Sequence, residues 1–163
     1  MRDIVIKFLQ NNHFNQLDTD FDFYTNSQYS EYFIVSEYSP NELHNFFDDD
    51  KTSQVIKEFE RLSVKSEHEN IKKNTSLFIL VEVDNLKEAF EDEKIQRSIL
   101  LIEEDYYYFR KFVLLYTQNG LSDLRDKTTN EAVYSYLESN IDAFEEDMFF
   151  SESFNGWNEN THR

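Results

Sequence analysis

The sequence predicts an α+β fold, in which a small mixed sheet of about three to five strands is packed by amphipathic helices and a long amphipathic helix ends the chain. Segments with helical spacing of apolar residues alternate with β-prone segments, without a strict strand–helix–strand repeat. Residues 77–83, LFILVEV, form an apolar run typical of a central strand that is covered on both faces. The chain of 163 residues has 2 Gly and 1 Pro, which argues against disorder and against a sandwich of many tight turns.

The N-terminal elements are predicted to be a helix and a hairpin. Residues 2–11 place apolar side chains at the spacing of one helical face, which should pack on the core. Residues 21–24 and 31–35 are β-prone runs joined by a polar loop, which fits a hairpin.

Two further helices follow the predicted hairpin. Ser39 and Glu42 form a capping box with Pro40 at the first helical position, so a helix should begin here. Its inward side chains are predicted to be Leu43, Phe46 and Phe47. In the next helix, for which Thr52 can serve as the cap, one face comprises Val55, Ile56, Phe59 and Leu62.

The strand at 77–83 leads into Glu82, Val83 and Asp84, where nuclease chemistry can be considered. Nucleases of the restriction-enzyme type often have an acid-x-Lys triplet here, but Asp84 stands in place of the lysine that would help to activate water or hold a phosphate. The sequence also has no Cys, paired His, nucleophilic Ser motif or glycine-rich loop. We therefore expect a protein that is not an enzyme and has no catalytic residue, metal site or cofactor; an inactive, degenerate nuclease-like fold is an alternative.

Residues 85–96 are predicted to be helical, and residues 98–117, SILLIEEDYYYFRKFVLLYT, are the densest apolar and aromatic run. Residues 99–102 should be buried on more than one side, because none of them is polar. Three successive acids cannot follow them inside, since a desolvated carboxylate needs a partner or loses its charge, so the chain should turn outward at Glu103. Salt bridges to residues 110–111 are a simpler role for these acids than a magnesium site.

The C-terminal part shows the clearest helical pattern. Apolar residues recur at three- and four-residue steps over 131–148, and the opposite face carries Glu138, Asp142 and Glu145. A face of one charge sign can steer the association of a basic partner. Residues 151–163 form an aromatic and acidic tail, and residues 1–150 are predicted to be a single domain.

The net charge of −17, from 33 acids and 16 bases, argues against direct binding to nucleic acid, since that binding depends on Lys and Arg. The charge is uneven, because residues 61–130 carry 13 acids and 11 bases whereas residues 131–163 carry 8 acids and 1 base. There is no Cys, no segment resembling a signal peptide and no apolar run of membrane-spanning length. These features predict a cytoplasmic protein without membrane contacts.

Two segments carry a family resemblance, KNTSLFILVEV at 73–83 and IEEDYYYFRKFVLLYT at 102–117. They resemble the middle component of bacterial ABC-three-component systems, of the ABC-ATPase-associated, Lamassu-like defence type. In that family a Lys-Asn pair precedes a hydrophobic strand, and Ile-Glu-Glu-Asp precedes a proline, aromatics, basic residues and a closing Tyr-Thr. Tyr106 here replaces the proline. The matching residues are Lys73, Asn74, Ile102, Glu103, Glu104, Asp105, Phe109, Lys111, Tyr116 and Thr117.

The resemblance implies the partners. Such proteins are encoded beside an ABC-type, SMC-like ATPase and a third protein, often a nuclease, so we expect a non-enzymatic adaptor that links the ATPase to an effector in anti-phage DNA surveillance. The predicted partner-binding residues are Glu103, Glu104, Asp105, Tyr106, Tyr107, Phe109, Glu138, Asp142 and Glu145. The alternative is an acidic DNA mimic, an anti-restriction-type inhibitor of a nucleic-acid-binding protein, although the nearly balanced charge of residues 61–130 counts against it.

Overall fold

A computed structural model describes residues 1–64 and 71–125 of the chain. The chain divides into two compact units, Met1–Leu121 and Ser122–Arg163, and the fold described below is that of the first. The predicted C-terminal helix at 131–148, the domain boundary at 150 and the tail at 151–163 lie outside the described residues and stay predictions.

In the part of the chain that the structure describes, five strands form one mixed sheet and follow each other across it in chain order. They are β1 Asn15–Gln16, β2 Asp22–Thr25, β3 Tyr32–Tyr38, β4 Thr75–Glu82 and β5 Arg110–Tyr116. The pairs β1–β2 and β2–β3 are antiparallel, and β2 and β3 form the predicted hairpin. The pairs β3–β4 and β4–β5 are parallel, so the chain must cross over the sheet twice. The α+β prediction with a small mixed sheet is confirmed.

The helices cover the two faces of the sheet, and several of them form the two crossovers. In the described part they are α1 Arg2–Asn11, α2 Pro40–His44, α3 Asp50–Ser63, α4 Ile71–Asn74, α5 Leu86–Glu91, α6 Glu93–Glu103 and α7 Gln118–Arg125. The crossover from β3 to β4 contains α2 to α4, and the crossover from β4 to β5 contains α5 and α6. The helix predicted over 85–96 is two helices, because Asp92 ends α5 and its side chain accepts the N–H groups of Lys94 and Ile95 at the start of α6.

The sheet has a core on each face. The crossover helices cover one face, where Val55, Phe59 and Ile102 pack with the inward side chains of β3, β4 and β5. Helix α1 covers the other face through Leu9, which packs with Phe33 and other residues.

Strand β4 lies in the interior of the sheet between β3 and β5, as its apolar run predicts. Leu77, Ile79 and Val81 belong to the core under the crossover helices, whereas Leu80 belongs to the core under α1. All four side chains are 0% exposed. Such a strand cannot alternate polar and apolar residues, because both of its faces are buried.

The helix boundaries partly confirm the sequence prediction. The capping box of α2 is present, with the Ser39 side chain on the N–H of Glu42 and the Glu42 side chain on the N–H of Ser39. The cap of α3 is Asp49, not Thr52 as predicted. Thr52 is buried instead, with its hydroxyl 3.1 Å from the hydroxyl of Tyr38. Phe47, predicted to face inward, is 54% exposed because α2 ends at His44, before this residue.

The apolar residues 99–102 form the last turns of α6 and are not buried on every side, contrary to the prediction. Ile102 is 1% exposed, but Leu100 and Leu101 are 39% and 50% exposed. Only one side of α6 packs against the sheet, so the helix buries one stripe of its apolar residues and leaves the others accessible to solvent.

We expect Asp49→Ala to lower the free energy of unfolding by about 1 kcal/mol, because the N–H groups of Lys51 and Thr52 lose their acceptor. Urea denaturation would measure the change. The control is Asp48→Ala at the exposed position just outside α3, which should change the free energy by less than about 0.5 kcal/mol. Equal losses in the two variants would contradict the assignment of the cap.

Candidate partner-contact site

The chain returns from α6 to β5 through residues 104–109, which we call the tyrosine loop. Tyr106 and Tyr107 in this loop are 77% and 71% exposed. The N–H of Tyr107 donates to Oδ1 of Asp105 at 3.1 Å. The N–H of Phe109 donates to the carbonyl oxygen of Tyr107 at 2.9 Å, which closes a three-residue γ-turn. Two successive tight turns therefore fix the backbone that carries the exposed tyrosines.

Lys111, the second residue of β5, lies buried beneath this loop, with a side chain only 3% exposed. Its Nζ donates to the carbonyl oxygens of Asp105, Tyr107 and Phe109 at 2.7, 2.9 and 3.2 Å. It also forms a salt bridge to Oδ2 of Asp105 at 2.9 Å. These four oxygen atoms provide acceptors for all three N–H groups of an ammonium ion. The loop thus folds around the positive charge of Lys111.

Two opposing effects act on the pKa of Lys111. Burial lowers the pKa of Lys111, and the Asp105 carboxylate opposes this change by stabilising the ammonium form. The ammonium also lies 5.2 Å from the ring centroid of Phe109, close enough for a cation–π contact. The expected salt bridge between the acids and the basic pair 110–111 is confirmed for Asp105 with Lys111.

Tyr108, at the centre of the γ-turn, has a left-handed backbone with φ of 68°. This conformation is unfavourable for a residue with a bulky side chain. The Tyr108 ring packs edge-to-face with Phe59 and Tyr107, at centroid distances of 6.3 and 4.9 Å. The nearby carboxylate of Glu60 raises the pKa of Tyr108. Contacts with α3 and with the loop itself therefore hold a strained residue in place.

Phe109 lies in the core, which corrects its prediction as a residue exposed to a partner. Its side chain is 3% exposed, and its ring packs edge-to-face with Phe59 at 5.1 Å. The reason is its position directly before β5, where the chain has already returned to the sheet. A Phe109→Ala variant would therefore create a cavity and would not leave the fold intact, as a test of a contact surface requires.

Glu103, the last residue of α6, also turns inward, contrary to the expectation that the chain turns outward there. Its Oε1 accepts the N–H of Val113 in β5 at 2.8 Å. Burial raises the pKa of Glu103 to about 7, and the hydrogen bond from Val113 opposes this change. Glu103 therefore joins α6 to β5, and the exposed Glu104 is the first acid on the outside.

We define the contact surface as five exposed residues of this region, Leu100, Leu101, Glu104, Tyr106 and Tyr107. They come from the end of α6 and from the tyrosine loop, within eight consecutive residues. Contiguous exposed apolar and aromatic side chains are typical of protein–protein contact sites. The two leucines were not among the predicted contact residues, because apolar residues at the end of a helix do not reveal which side of it is covered.

The other predicted contact residues have different positions. Asp105 is bound to Lys111, and Glu103 and Phe109 are turned inward. The acids predicted on the C-terminal helix, Glu138, Asp142 and Glu145, lie outside the described residues.

A second polar cluster lies at the carboxyl ends of the parallel strands. The Tyr116 hydroxyl donates to Oε1 of Glu37 at 3.5 Å, and Gln118 Nε2 donates to Oε2 of Glu82 at 2.7 Å. Burial and the carboxylates of Glu37 and Glu82 raise the pKa of Tyr116 to about 12. Glu82, the strand-end acid considered for nuclease chemistry, is thus engaged by a side-chain amide.

Within residues 1–64 and 71–125, no group of three or more His, Cys, Asp or Glu side chains is arranged to hold a metal ion. No helix in these same ranges has the length and apolar character needed to cross a membrane.

A family model described as ABC-three component (ABC-3C) system Middle Component 1 matches residues 31–141. The chain belongs to this family. No curated protein and no solved structure matches the chain. The match confirms the resemblance seen in the sequence, and the residues that carry that resemblance all lie within it. The protein is therefore a middle component of an ABC-three-component system, and its family name implies partners within such a system.

The structure gives several of these family-motif residues of the ABC-3C middle component a specific contact. The Asn74 side chain donates to the carbonyl oxygen of Ser30 at 2.6 Å, which fixes the start of β4 against the β2–β3 hairpin loop. Thr117 Oγ1 accepts the N–H of Gly120 at 3.2 Å at the start of α7. Together with Lys111, these residues connect neighbouring parts of the fold to one another.

We expect Glu103→Gln to remove a pH dependence from the stability of this middle component. Between pH 4.5 and about 7 the folded state keeps the Glu103 proton that the unfolded state loses, so the free energy of unfolding falls as pH rises. Glutamine accepts the Val113 N–H without this loss. The variant should match the wild type below pH 4.5 and exceed it by up to about 3 kcal/mol above pH 7, as measured by urea denaturation.

The matched control for Glu103→Gln is Glu104→Gln at the neighbouring exposed position, which should change the free energy of unfolding by less than about 0.5 kcal/mol at any pH. Stability profiles of wild type and Glu103→Gln that stay parallel from pH 4 to pH 8 would show that the buried carboxyl group is not the cause.

The positive φ of Tyr108 predicts a difference between two substitutions that both remove the ring. Tyr108→Val should unfold at a temperature about 4–8 °C lower than Tyr108→Asn, because a β-branched residue tolerates this conformation least and Asn tolerates it well. Differential scanning calorimetry would measure both midpoints. The same pair at Tyr106, whose φ is not positive, is the control and should show no comparable gap.

Proposed function

We propose that this middle component is a non-enzymatic adaptor that links the ABC-type ATPase to an effector nuclease in a cytoplasmic anti-phage DNA-surveillance complex. Membership of the family supports partners within a three-component system. The observation that carries the proposal is the contact surface, where Tyr106 and Tyr107 stand 77% and 71% exposed on a loop fixed from beneath. We assign this surface to the ATPase.

The chemistry of the surface suits an adaptor. Tyrosine contributes a large apolar ring with few rotatable bonds, and its hydroxyl can find a hydrogen-bond partner, so it is frequent among residues that dominate binding energy. A loop whose backbone is already fixed loses little entropy on binding. Leu100 and Leu101, exposed near the end of α6 just before the loop, are further exposed apolar side chains.

The absence of enzymatic activity belongs to the same proposal. The strand-end acid Glu82 accepts a hydrogen bond from Gln118 and lies beside Tyr116, and Asp84 occupies the place of an activating lysine. These contacts support a structural role for the carboxyl end of β4.

The proposal predicts that Tyr106→Ser combined with Tyr107→Ser weakens association with the ATPase at least about tenfold, because each exposed ring is a candidate anchor. The test is co-expression with the products of the neighbouring genes, followed by pull-down on this chain and titration of the recovered complex.

The control for the tyrosine variants is Phe47→Ser, which removes an aromatic ring that is 54% exposed but lies near α2, outside the contact surface. This variant should bind as the wild type does. Equal binding by the double tyrosine variant would overturn the assignment of the surface. Recovery of a basic nucleic-acid-binding protein in place of an ATPase would instead favour the DNA-mimic alternative.

A further inference from the structure

The carbonyl groups that meet at Lys111 belong to alternate residues of one short segment, Asp105, Tyr107 and Phe109. In an extended chain such carbonyl groups lie side by side and cannot reach one atom. Here the backbone curls through the Asp105 turn and the γ-turn, and their oxygens converge. Converging carbonyl dipoles repel each other, so this curl needs a positive charge at its centre.

The arrangement has the chemistry of a monovalent cation site. Its ligands are three backbone carbonyl oxygens and one carboxylate oxygen, at 2.7 to 3.2 Å from the charged atom. Rings of carbonyl oxygens are also how proteins replace the hydration shell of a potassium ion. In this protein the cation is part of the chain, because β5 supplies it from directly after the loop.

We propose that the Lys111 ammonium is an internal cation that holds the tyrosine loop in its partner-binding conformation. Lys111 is then a positioning residue: its buried side chain does not touch the partner but fixes the loop that does. This inference rests on the proposed function, since the adaptor role gives the loop conformation its purpose. Without the ammonium, the carbonyl groups on either side of Tyr108 lose their shared donor, and only the ring contacts of Tyr108 remain to hold its strained backbone. A partner would then have to order the loop as it binds.

The first test measures hydrogen exchange by NMR on the isolated protein. Lys111→Met keeps the aliphatic stem but removes the charge, and the amides of Tyr107 and Phe109 should then exchange at least about tenfold faster. The amide of Ile79 in β4 reports whether the fold is retained. Arg110→Met, a charge loss at the exposed neighbouring position, is the control and should leave all of these rates unchanged. Wild-type rates in Lys111→Met would overturn the proposal.

The second test supplies the cation from solution. Lys111→Ala removes three carbons and the ammonium and leaves a space lined by the same oxygens, so millimolar n-propylammonium should restore slow exchange of the Phe109 amide. Neutral 1-propanol, of similar shape, should not restore it. Equal rescue by the alcohol would show that the side chain acts only by filling space and would overturn the proposal.

A third variant covers the case in which the Lys111 substitutions do not fold. Asp105→Asn keeps a side-chain acceptor for the N–H of Tyr107 but removes the negative charge from the group of oxygens around the Lys111 ammonium. Exchange at Phe109 should again be faster, by a smaller factor, and an unchanged rate would overturn the proposal.

The exchange measurements test the role of Lys111, and the pull-down tests the proposed function, so each can contradict its own proposal without the other. Exchange rates need no partner, so unchanged association of the double tyrosine variant would remove the proposed function and leave the internal cation intact. Conversely, wild-type exchange in Lys111→Met together with lost association of the tyrosine variant would keep the surface and remove the role of Lys111.

Discussion

Parallel pairing of β4 with β5 is the constraint on which the candidate site depends. Parallel neighbours begin at the same end of a sheet, so the chain must leave β4, cross back through α5 and α6, and re-enter beside the start of β4. Because α6 ends at Glu103 and β5 begins at Arg110, the reversal is confined to a short loop. The loop cannot bury its own backbone oxygens without a donor. Lys111 supplies that donor from the strand that the loop introduces.

Local patterns predicted the elements whose structure depends on neighbours in sequence. The helix at residues 2–11, the capping box at Ser39 and the central strand β4 follow from spacing, capping chemistry and a continuous apolar run. The cap of α3 was missed because Asp49 and Thr52 are both good caps, and only the packing of Thr52 against Tyr38 distinguishes them. Packing against distant elements also decides which residues of the run 99–102 are buried, so the run did not reveal that Leu100 and Leu101 face away from the sheet.

The candidate site was predicted in outline but not in its buried parts. The exposed tyrosines and the salt bridge of the acids to a following cation could be expected from the order of residues. The inward turn of Glu103 could not, because its partner is the backbone of Val113, ten residues away on a strand whose register no local pattern gives. Nor did the sequence show that the lysine of the Arg110-Lys111 pair would be buried. A cation can be enclosed only where several oxygens converge, and that convergence is a property of the folded loop.

In the described part of the chain β5 is an edge strand, and Glu103 occupies one of the donors on its outer side. Strand β5 pairs with β4 through alternate residues, so the backbone groups of Val113 face away from β4, where Glu103 takes the N–H. An edge strand with free donors is a template on which another chain can add a strand. Here the central donor of a seven-residue strand is already occupied, and a second copy aligned along β5 would lack a hydrogen bond at the middle of the new ladder. The carboxyl group that joins α6 to β5 therefore also makes this edge a poorer template for the addition of another strand.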